Sequence, residues 1–137
     1  MIEINGIDAA DADEAWLVVG PLIEQAMVNG NAPTHAATLL DAIKKHFNQL
    51  WVVRIGGEFV ATFVTQIDDY DVGRILTVVA IGGDRMPEWL GEVDALIQSY
   101  AEHNNCKFIA SEGRPGWERA LAAYGWRKSS VRMLKEV

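Results

Sequence analysis

The sequence predicts an α/β fold in a single domain that spans residues 1–137. Three observations support this prediction. Apolar residues recur at helical spacing between Asp11 and Gln49, and the spacing changes to a period of two at Leu50. An apolar strand at residues 74–81 then leads through a glycine-containing turn into another amphipathic helix. A chain of 137 residues is long enough to bury a core without disulfides or metals.

The first helix is predicted to follow a short alternating strand at residues 2–4. Asp11 and Asp13 are candidate N-caps, because a short carboxylate side chain accepts hydrogen bonds from the free amides of a first turn. Four apolar side chains at helical spacing form the predicted inward face: Trp16, Val19, Ile23 and Met27. Gly20-Pro21 interrupts this pattern, so we expect a kink or two short helices with Pro21 in a first turn.

A second helix is predicted with Thr34 as its N-cap, after the loop at residues 29–33. Its apolar face is predicted to contain Leu39, Leu40, Ile43 and Phe47. Two alternating strands then flank Gly56-Gly57, which is a strong signal for a two-residue hairpin turn. The polar stretch at residues 68–73 is predicted to be another turn.

The strand at residues 74–81 is expected to lie at the centre of the sheet, beside a short strand at residues 107–111. Pro87 fits the first turn of the helix between these strands, whose inward residues are predicted to be Leu90, Val93, Ile97 and Tyr100 or Ala101. Residues 117–124 are predicted to form a last helix that Gly125 ends. One or two closing strands are expected at residues 126–135.

Composition excludes several classes of protein. The net charge of −7 argues against general nucleic-acid binding, and no apolar run reaches the roughly 20 residues that span a bilayer. The acidic N-terminus has no basic segment typical of a signal peptide, and a single cysteine, Cys106, excludes an internal disulfide. We therefore expect a cytoplasmic protein in which Cys106 is a small residue at a helix–strand junction, with a reactive thiol as the alternative.

Charge is distributed unevenly along the chain. Residues 1–104 contain 5 basic and 16 acidic side chains, whereas residues 105–137 contain 7 basic and 3 acidic ones. Two interpretations remain open. The basic segment lies against the acidic remainder of the protein, or it forms a basic wall beside an anionic ligand.

Residues 121–127, with the sequence LAAYGWR, resemble the C-terminal motif of the GNAT N-acetyltransferase superfamily, in which an aromatic-rich helix is followed by Leu-Gly-Phe. The predicted order β-α-α-β-β-β-α-β-α-β-β is similar to the GNAT fold over essentially the whole chain. This resemblance implies a GNAT-like α/β domain: a mixed, mostly antiparallel sheet, splayed between its fourth and fifth strands, with helices on both faces.

The resemblance also implies an acetyl-CoA-dependent N-acyltransferase that acts on an amine of a small molecule or a protein. The amides of Val79 and Ile81 would hold the pantetheine arm of CoA, and Gly82, Gly83 and Arg85 would hold phosphate. Arg114 stands where the family often has an asparagine that contacts pantetheine or the neighbouring strand. The cofactor-binding residues implied in this way are Val79, Ala80, Ile81, Gly82, Gly83, Arg85 and Arg114.

The sequence departs from the GNAT pattern in the loop that binds pyrophosphate. The family has a Gln/Arg-x-x-Gly-x-Gly/Ala run there, whereas residues 82–89 read GGDRMPEW. Pro87 removes an N–H donor, and the carboxylates of Asp84 and Glu88 repel a diphosphate. Arg85 is the one residue in this loop that favours phosphate binding.

This sequence also lacks the catalytic groups that the family uses at the corresponding positions. Leu121 occupies the position of the tyrosine that many members use to protonate the departing thiolate, and residues 77–81 contain no carboxylate. The sequence therefore predicts a divergent N-acyltransferase with a degenerate pyrophosphate loop and no evident general acid. The alternative is a catalytically inactive GNAT-like module that binds a protein partner, which resembles short, degenerate proteins encoded by bacteriophages and associated with the virion.

Other sites are not predicted. His35, His46 and His103 are widely separated in the sequence, so we expect no metal site. Most tryptophans are expected in the core, although Trp89, in the first turn of its helix, is also a candidate for capping a cleft or contacting a partner.

Overall fold

The chain, described in a computed structural model over residues 1–113 and 116–137, forms a five-stranded sheet with helices packed on both faces. The strands are β1 (Ile2–Ile7), β2 (Asn48–Ile55), β3 (Glu58–Tyr70), β4 (Gly73–Gly83) and β5 (Phe108–Ser111). The helices are α1 (Ala12–Asn29), α2 (Ala36–Lys44), α3 (Met86–His103) and α4 (Gly116–Ala122). No helix in the described ranges is long and apolar enough to cross a membrane.

The sheet has the strand order β1-β2-β3-β4-β5. The first four strands pair antiparallel with their neighbours, and β5 pairs parallel to β4 because α3 connects the two. The predicted mixed, mostly antiparallel sheet is therefore confirmed. The strand predicted at residues 74–81 lies inside the sheet as β4, beside β5, while β3 occupies the middle.

The β2–β3 hairpin has the predicted two-residue turn, with φ angles of 58° at Gly56 and 82° at Gly57. The turn predicted at residues 68–73 is much shorter than expected. β3 continues to Tyr70, and Asp69 pairs with Arg74 across the ladder. The polar side chains of residues 68–70 do not end β3, because they lie at the tip of a hairpin that is open to water. There the Arg74 Nε donates a hydrogen bond to Asp69 Oδ1 at 2.8 Å.

α1 is one continuous helix, so the expectation of two short helices with Pro21 in a first turn is wrong. Pro21 lies in the helix interior and is exposed, as is Leu17, whose side chain is 82% accessible. The carbonyl of Leu17 has lost its usual partner at residue 21 but lies on the side that faces water. The predicted inward residues Val19, Ile23 and Met27 are buried.

α2 begins one residue later than predicted, with His35 rather than Thr34 as its N-cap. Leu39 and Ile43 are buried, as the helical pattern predicts. Phe47 is not on this face: it lies beyond the helix and is 68% exposed. The left-handed conformation of His46, at φ 66°, reverses the chain after α2 and turns Phe47 outward.

α3 buries the predicted residues Leu90, Val93, Ile97 and Ala101. Trp89 is also a core residue, 1% exposed, and its indole N–H donates to the carbonyl of Asp84 at 2.6 Å. It therefore neither caps a cleft nor offers a surface to a partner.

The closing strands predicted at residues 126–135 are absent: the described segment 126–137 contains no strand. Apart from the half-buried Trp126, its apolar side chains are exposed, including Val131 at 69% and Met133 at 87%, so no burial supports a ladder there. Polar contacts hold the segment instead, because Arg132 donates to the carbonyl of Asn31 and Lys128 lies 3.4 Å from Glu118. Gly125 ends α4 with a φ of 88°, as predicted.

We predict that Gly83→Ala destabilises the protein strongly. A Cβ at Gly83 would lie 2.3 Å from the carbonyl oxygen of Val60, and the backbone φ there is 148°. Overpacking and backbone strain together should cost about 2–4 kcal/mol of unfolding free energy, measured by urea denaturation. Gly57→Ala is the matched control, since its φ is 82° but nothing lies within 4 Å. Equal losses in both variants would contradict the steric explanation.

Candidate functional site

β4 extends well beyond its partner β5. The two strands pair over only four positions, from Ile75–Phe108 to Val78–Ser111. The last contact is weak, because the Glu112 amide lies 3.4 Å from the carbonyl of Val78. One edge of β4 after Val78 therefore has no strand partner among the described residues. This open edge is the starting point of the candidate site.

A β-bulge lies where the open edge begins. Val64 of β3 pairs with Ala80 and Thr65 pairs with Val78, so Val79 is an extra residue on β4. A bulge bends its strand and changes where the neighbouring side chains point. Val79 and Ala80 both pack with the α1 and α2 core, whereas Ile81 faces the α3 side of the sheet.

The direction of the peptide groups in this segment follows from one hydrogen bond. The Asp84 amide donates to the carbonyl of Val60 at 2.9 Å, which makes these two residues a hydrogen-bonded pair. Peptide groups alternate along a strand, so Ala80 and Gly82 face β3, while Ile81 and Gly83 face the open edge. The N–H of Ile81 is thus available to an extended ligand.

A small apolar cavity lies beside this edge, between β4, β5, α3 and α4. It encloses about 20 Å³, which is room for roughly one water molecule. The residues that line it are Val78, Ile81, Leu90, Val93, Asp94, Ile97, Ser111, Trp117, Leu121 and Trp126. We call the open edge of β4 together with this cavity the groove.

The segment after α4 packs on α3 and narrows the groove. The indole N–H of Trp126 donates to Asp94 Oδ1 at 2.7 Å. Tyr124 lies over Gly91, where its hydroxyl would be 3.3 Å from an added Cβ. These two aromatic residues connect the end of α4 directly to α3.

Gly82 and Gly83 lie in β4, not in the turn that the sequence predicted. A Cβ at Gly82 would lie 3.3 Å from the carbonyl oxygen of Leu22 in α1, and one at Gly83 would clash with β3. Close packing of the sheet therefore explains both glycines without a ligand.

Arg85, the residue that precedes α3, is held by two carboxylates. Its Nε and Nη2 donate to Glu88 at 2.6 and 2.9 Å, and Nη1 lies 3.8 Å from Glu58. The hydrogen bond from Arg85 holds the pKa of the Glu88 carboxyl below its usual value. We call this arrangement of Arg85, Glu58 and Glu88 the Arg85 clasp.

Neither a family model nor a curated protein matches this sequence. Solved structures match it in three dimensions. An aminoglycoside N-acetyltransferase in complex with CoA has a TM-score of 0.71 at 14% identity, over 100% of this chain and 95% of that chain. Glucosamine-6-phosphate N-acetyltransferase from Arabidopsis thaliana gives 0.68 at 14% identity, over 99% and 98% of the two chains. Ribosomal-protein-alanine N-acetyltransferase from Brucella melitensis biovar Abortus gives 0.64 at 12% identity, over 97% and 100%.

The chain has the GNAT fold. The likeness that the sequence shows to GNAT proteins is therefore confirmed for the architecture, although identities below 25% say nothing about activity. In this GNAT fold, the predicted residues Val79, Ala80, Ile81, Gly82 and Gly83 form the open end of β4. Arg85 lies next to them in the clasp, and Arg114 falls outside the described residues. The cofactor-binding role of all seven stays a prediction.

Within the described residues, no group of three or more His, Cys, Asp or Glu side chains could hold a metal ion. Cys106, for which the sequence left a reactive thiol as the alternative, does not line the groove. Cys106 is half-buried after α3, and burial raises the pKa of its thiol, so the thiol stays protonated at neutral pH. A reactive thiolate is not favoured by that environment.

Sequence reasoning missed Asp94 and the role of Trp126 in the groove. Trp126 was expected to belong to a closing strand, whereas its side chain reaches α3, which lies 32 residues earlier in the chain. A half-buried tryptophan usually has an acceptor for its N–H, and Asp94 is an acidic residue one position after the inward Val93. The position of Asp94 beside the inward face of α3 was the one sequence signal for this contact.

We predict that Trp126→Phe lowers the unfolding free energy by about 1–3 kcal/mol, because it removes a hydrogen bond to a carboxylate and keeps the aromatic packing. Urea denaturation measures the change. Trp117→Phe is the matched control. Trp117 also lines the groove, but its indole N–H donates to no side chain within the described ranges. A larger loss in the control would contradict the role given to the Asp94 contact.

Proposed function

We propose that this protein is a GNAT-type N-acyltransferase that transfers an acyl group from a pantetheine thioester to an amine. The observation that carries this proposal is the open edge of β4, where pairing with β5 ends at Val78 and the Ile81 peptide group faces outward. A pantetheine arm is extended and contains amides, so it binds such an edge as an added strand does. The neighbours with the same fold include an enzyme in complex with CoA.

The fit of acetyl-CoA to these residues differs between its two halves. The pantetheine arm matches the free edge of β4 and the apolar lining of the groove. The diphosphate does not match the beginning of α3, where two carboxylates contact Arg85 and Pro87 supplies no N–H. We therefore assign the β4 edge to the arm and assign no diphosphate site.

A thioester donor supplies an activated carbonyl, which the amine nitrogen attacks as the carbon–sulfur bond breaks and a proton passes from nitrogen to sulfur. The chain's own contribution is to bind and orient the donor along β4. Leu121 lines the groove where a proton donor is needed and has no hydroxyl. Tyr124, the nearest tyrosine in sequence, lies over Gly91 of α3 instead.

We predict that acetyl-CoA raises the midpoint of thermal unfolding. A ligand present at 100 times its Kd adds about 2.7 kcal/mol of stability when it binds only the folded state. Ile81→Pro should abolish the increase, because it removes the N–H that faces the open edge and breaks no bond to β3. Ile81→Val keeps this N–H and should retain the increase. A full increase of the thermal midpoint in Ile81→Pro would contradict the assignment of the β4 edge to the pantetheine arm.

We further predict slow acetyl transfer by the parent protein, and a faster kcat in Leu121→Tyr. A positioned acid or base typically supplies about 10²–10⁴-fold, and Leu121 leaves this position without one. Leu121→Phe, which adds the ring without the hydroxyl, should not accelerate the reaction. Robust turnover by the parent, with a pH profile that shows an acid and a base, would contradict this prediction.

The second candidate function is a catalytically inactive module that binds a protein partner. The observation in its favour is the small size of the cavity in the groove, about 20 Å³, beside which Trp126 and Tyr124 join the end of α4 to α3. The thermal measurement separates the two functions. A folded protein that shows no response to acetyl-CoA or to acetyl-pantetheine would favour the partner-binding module.

A further inference from the structure

The Arg85 clasp occupies the place at which the β4–α3 loop would meet a phosphate. The guanidinium donates two hydrogen bonds to the carboxylate of Glu88, at 2.6 and 2.9 Å, in a bidentate pair. Glu58, from the start of β3, adds a second carboxylate at 3.8 Å. The donors of Arg85 are therefore directed at protein carboxylates, which compete with any phosphate for them.

Two backbone donors near the beginning of α3 are also occupied. The Asp84 amide donates to Val60, and the Glu88 amide donates to the carbonyl of Arg85 at 2.9 Å. Pro87, in the first turn of α3, has no N–H. The beginning of α3 therefore offers an anion fewer free amides than a helix N-terminus normally does.

The charge around this point is unfavourable for a diphosphate. Asp84, Glu58 and Glu88 contribute three carboxylates against the single guanidinium of Arg85. These side chains surround the end of β4, where the nucleotide half of a CoA molecule would have to lie if its pantetheine arm followed the strand. The arm itself meets mainly apolar side chains and peptide groups along the groove, whose lining includes two polar residues, Ser111 and Asp94, the latter accepting a hydrogen bond from Trp126.

We infer that the groove recognises an acyl-pantetheine thioester through its arm alone, and that the Arg85 clasp excludes a nucleotide diphosphate from the beginning of α3. This inference rests on the proposed function and specifies its donor. The same arm occurs in free acyl-pantetheine, in acyl-CoA and in the phosphopantetheine group of a carrier protein. The clasp removes the advantage that CoA would gain from its nucleotide.

Isothermal titration calorimetry of the protein with pantetheine and with CoA tests this inference. The dissociation constant of CoA should equal that of pantetheine within about threefold, or be larger, since the nucleotide adds no favourable contact and its diphosphate meets three carboxylates. CoA that binds roughly tenfold or more tightly than pantetheine would overturn the inference and leave the proposed function intact. If neither ligand binds the folded protein, the proposed function fails together with the inference.

Two variants test the clasp itself. Glu88→Gln should release Arg85 and lower the dissociation constant of CoA by roughly tenfold, while the dissociation constant of pantetheine stays unchanged. Glu14→Gln, which removes an exposed carboxylate from α1, is the matched control and should alter neither affinity. Arg85→Ala should leave the CoA affinity of the parent unchanged. A loss of roughly tenfold in Arg85→Ala would show that Arg85 binds phosphate, and would overturn the inference.

The source of the donor is identified by steady-state kinetics. Acetyl-pantetheine, acetyl-CoA and a carrier protein that bears acetyl-phosphopantetheine are compared as donors by kcat/KM for one amine acceptor. A higher value for the carrier-bound donor, or equal values for all three, supports arm-only recognition. A strong preference for acetyl-CoA would overturn it.

Discussion

The unequal lengths of β4 and β5 determine most of what this structure can do. β5 ends at Ser111, while β4 continues to Gly83, held on its other side by β3. The bulge at Val79 marks the point where a strand with two neighbours becomes a strand with one. Backbone groups that a sheet would normally satisfy face outward there, because the described residues provide no further strand at that edge.

The same geometry explains why the glycines after this segment are ambiguous in the sequence. Gly82 and Gly83 are required by the approach of α1 and β3, and they sit next to a loop rich in carboxylates. A glycine pair that follows a strand is commonly interpreted as a phosphate cradle. In this protein the constraint comes from the interior of the sheet, so the glycines and the chemistry of the adjacent loop are independent features.

Much of the architecture could be predicted from periodicity, because helical spacing in α3 and alternation around Gly56-Gly57 depend on local patterns that the core preserves. The predictions that were wrong concern segments whose structure depends on burial and packing rather than on local sequence. Pro21 remains inside α1 because its face is solvated, and the segment after Trp126 forms no strand because it gains no burial. The groove was only partly predictable: its β4 residues follow from the resemblance, whereas the contact of Trp126 with Asp94 depends on how α4 packs.

The described segment 126–137 has a consequence for handling the protein. It carries Val131, Met133 and Leu134 in water, at 69%, 87% and 78% exposure, with no ladder to protect its backbone. Its lysines and arginines are the cleavage points of trypsin. Limited digestion of the native protein would therefore begin here, well before the sheet is attacked.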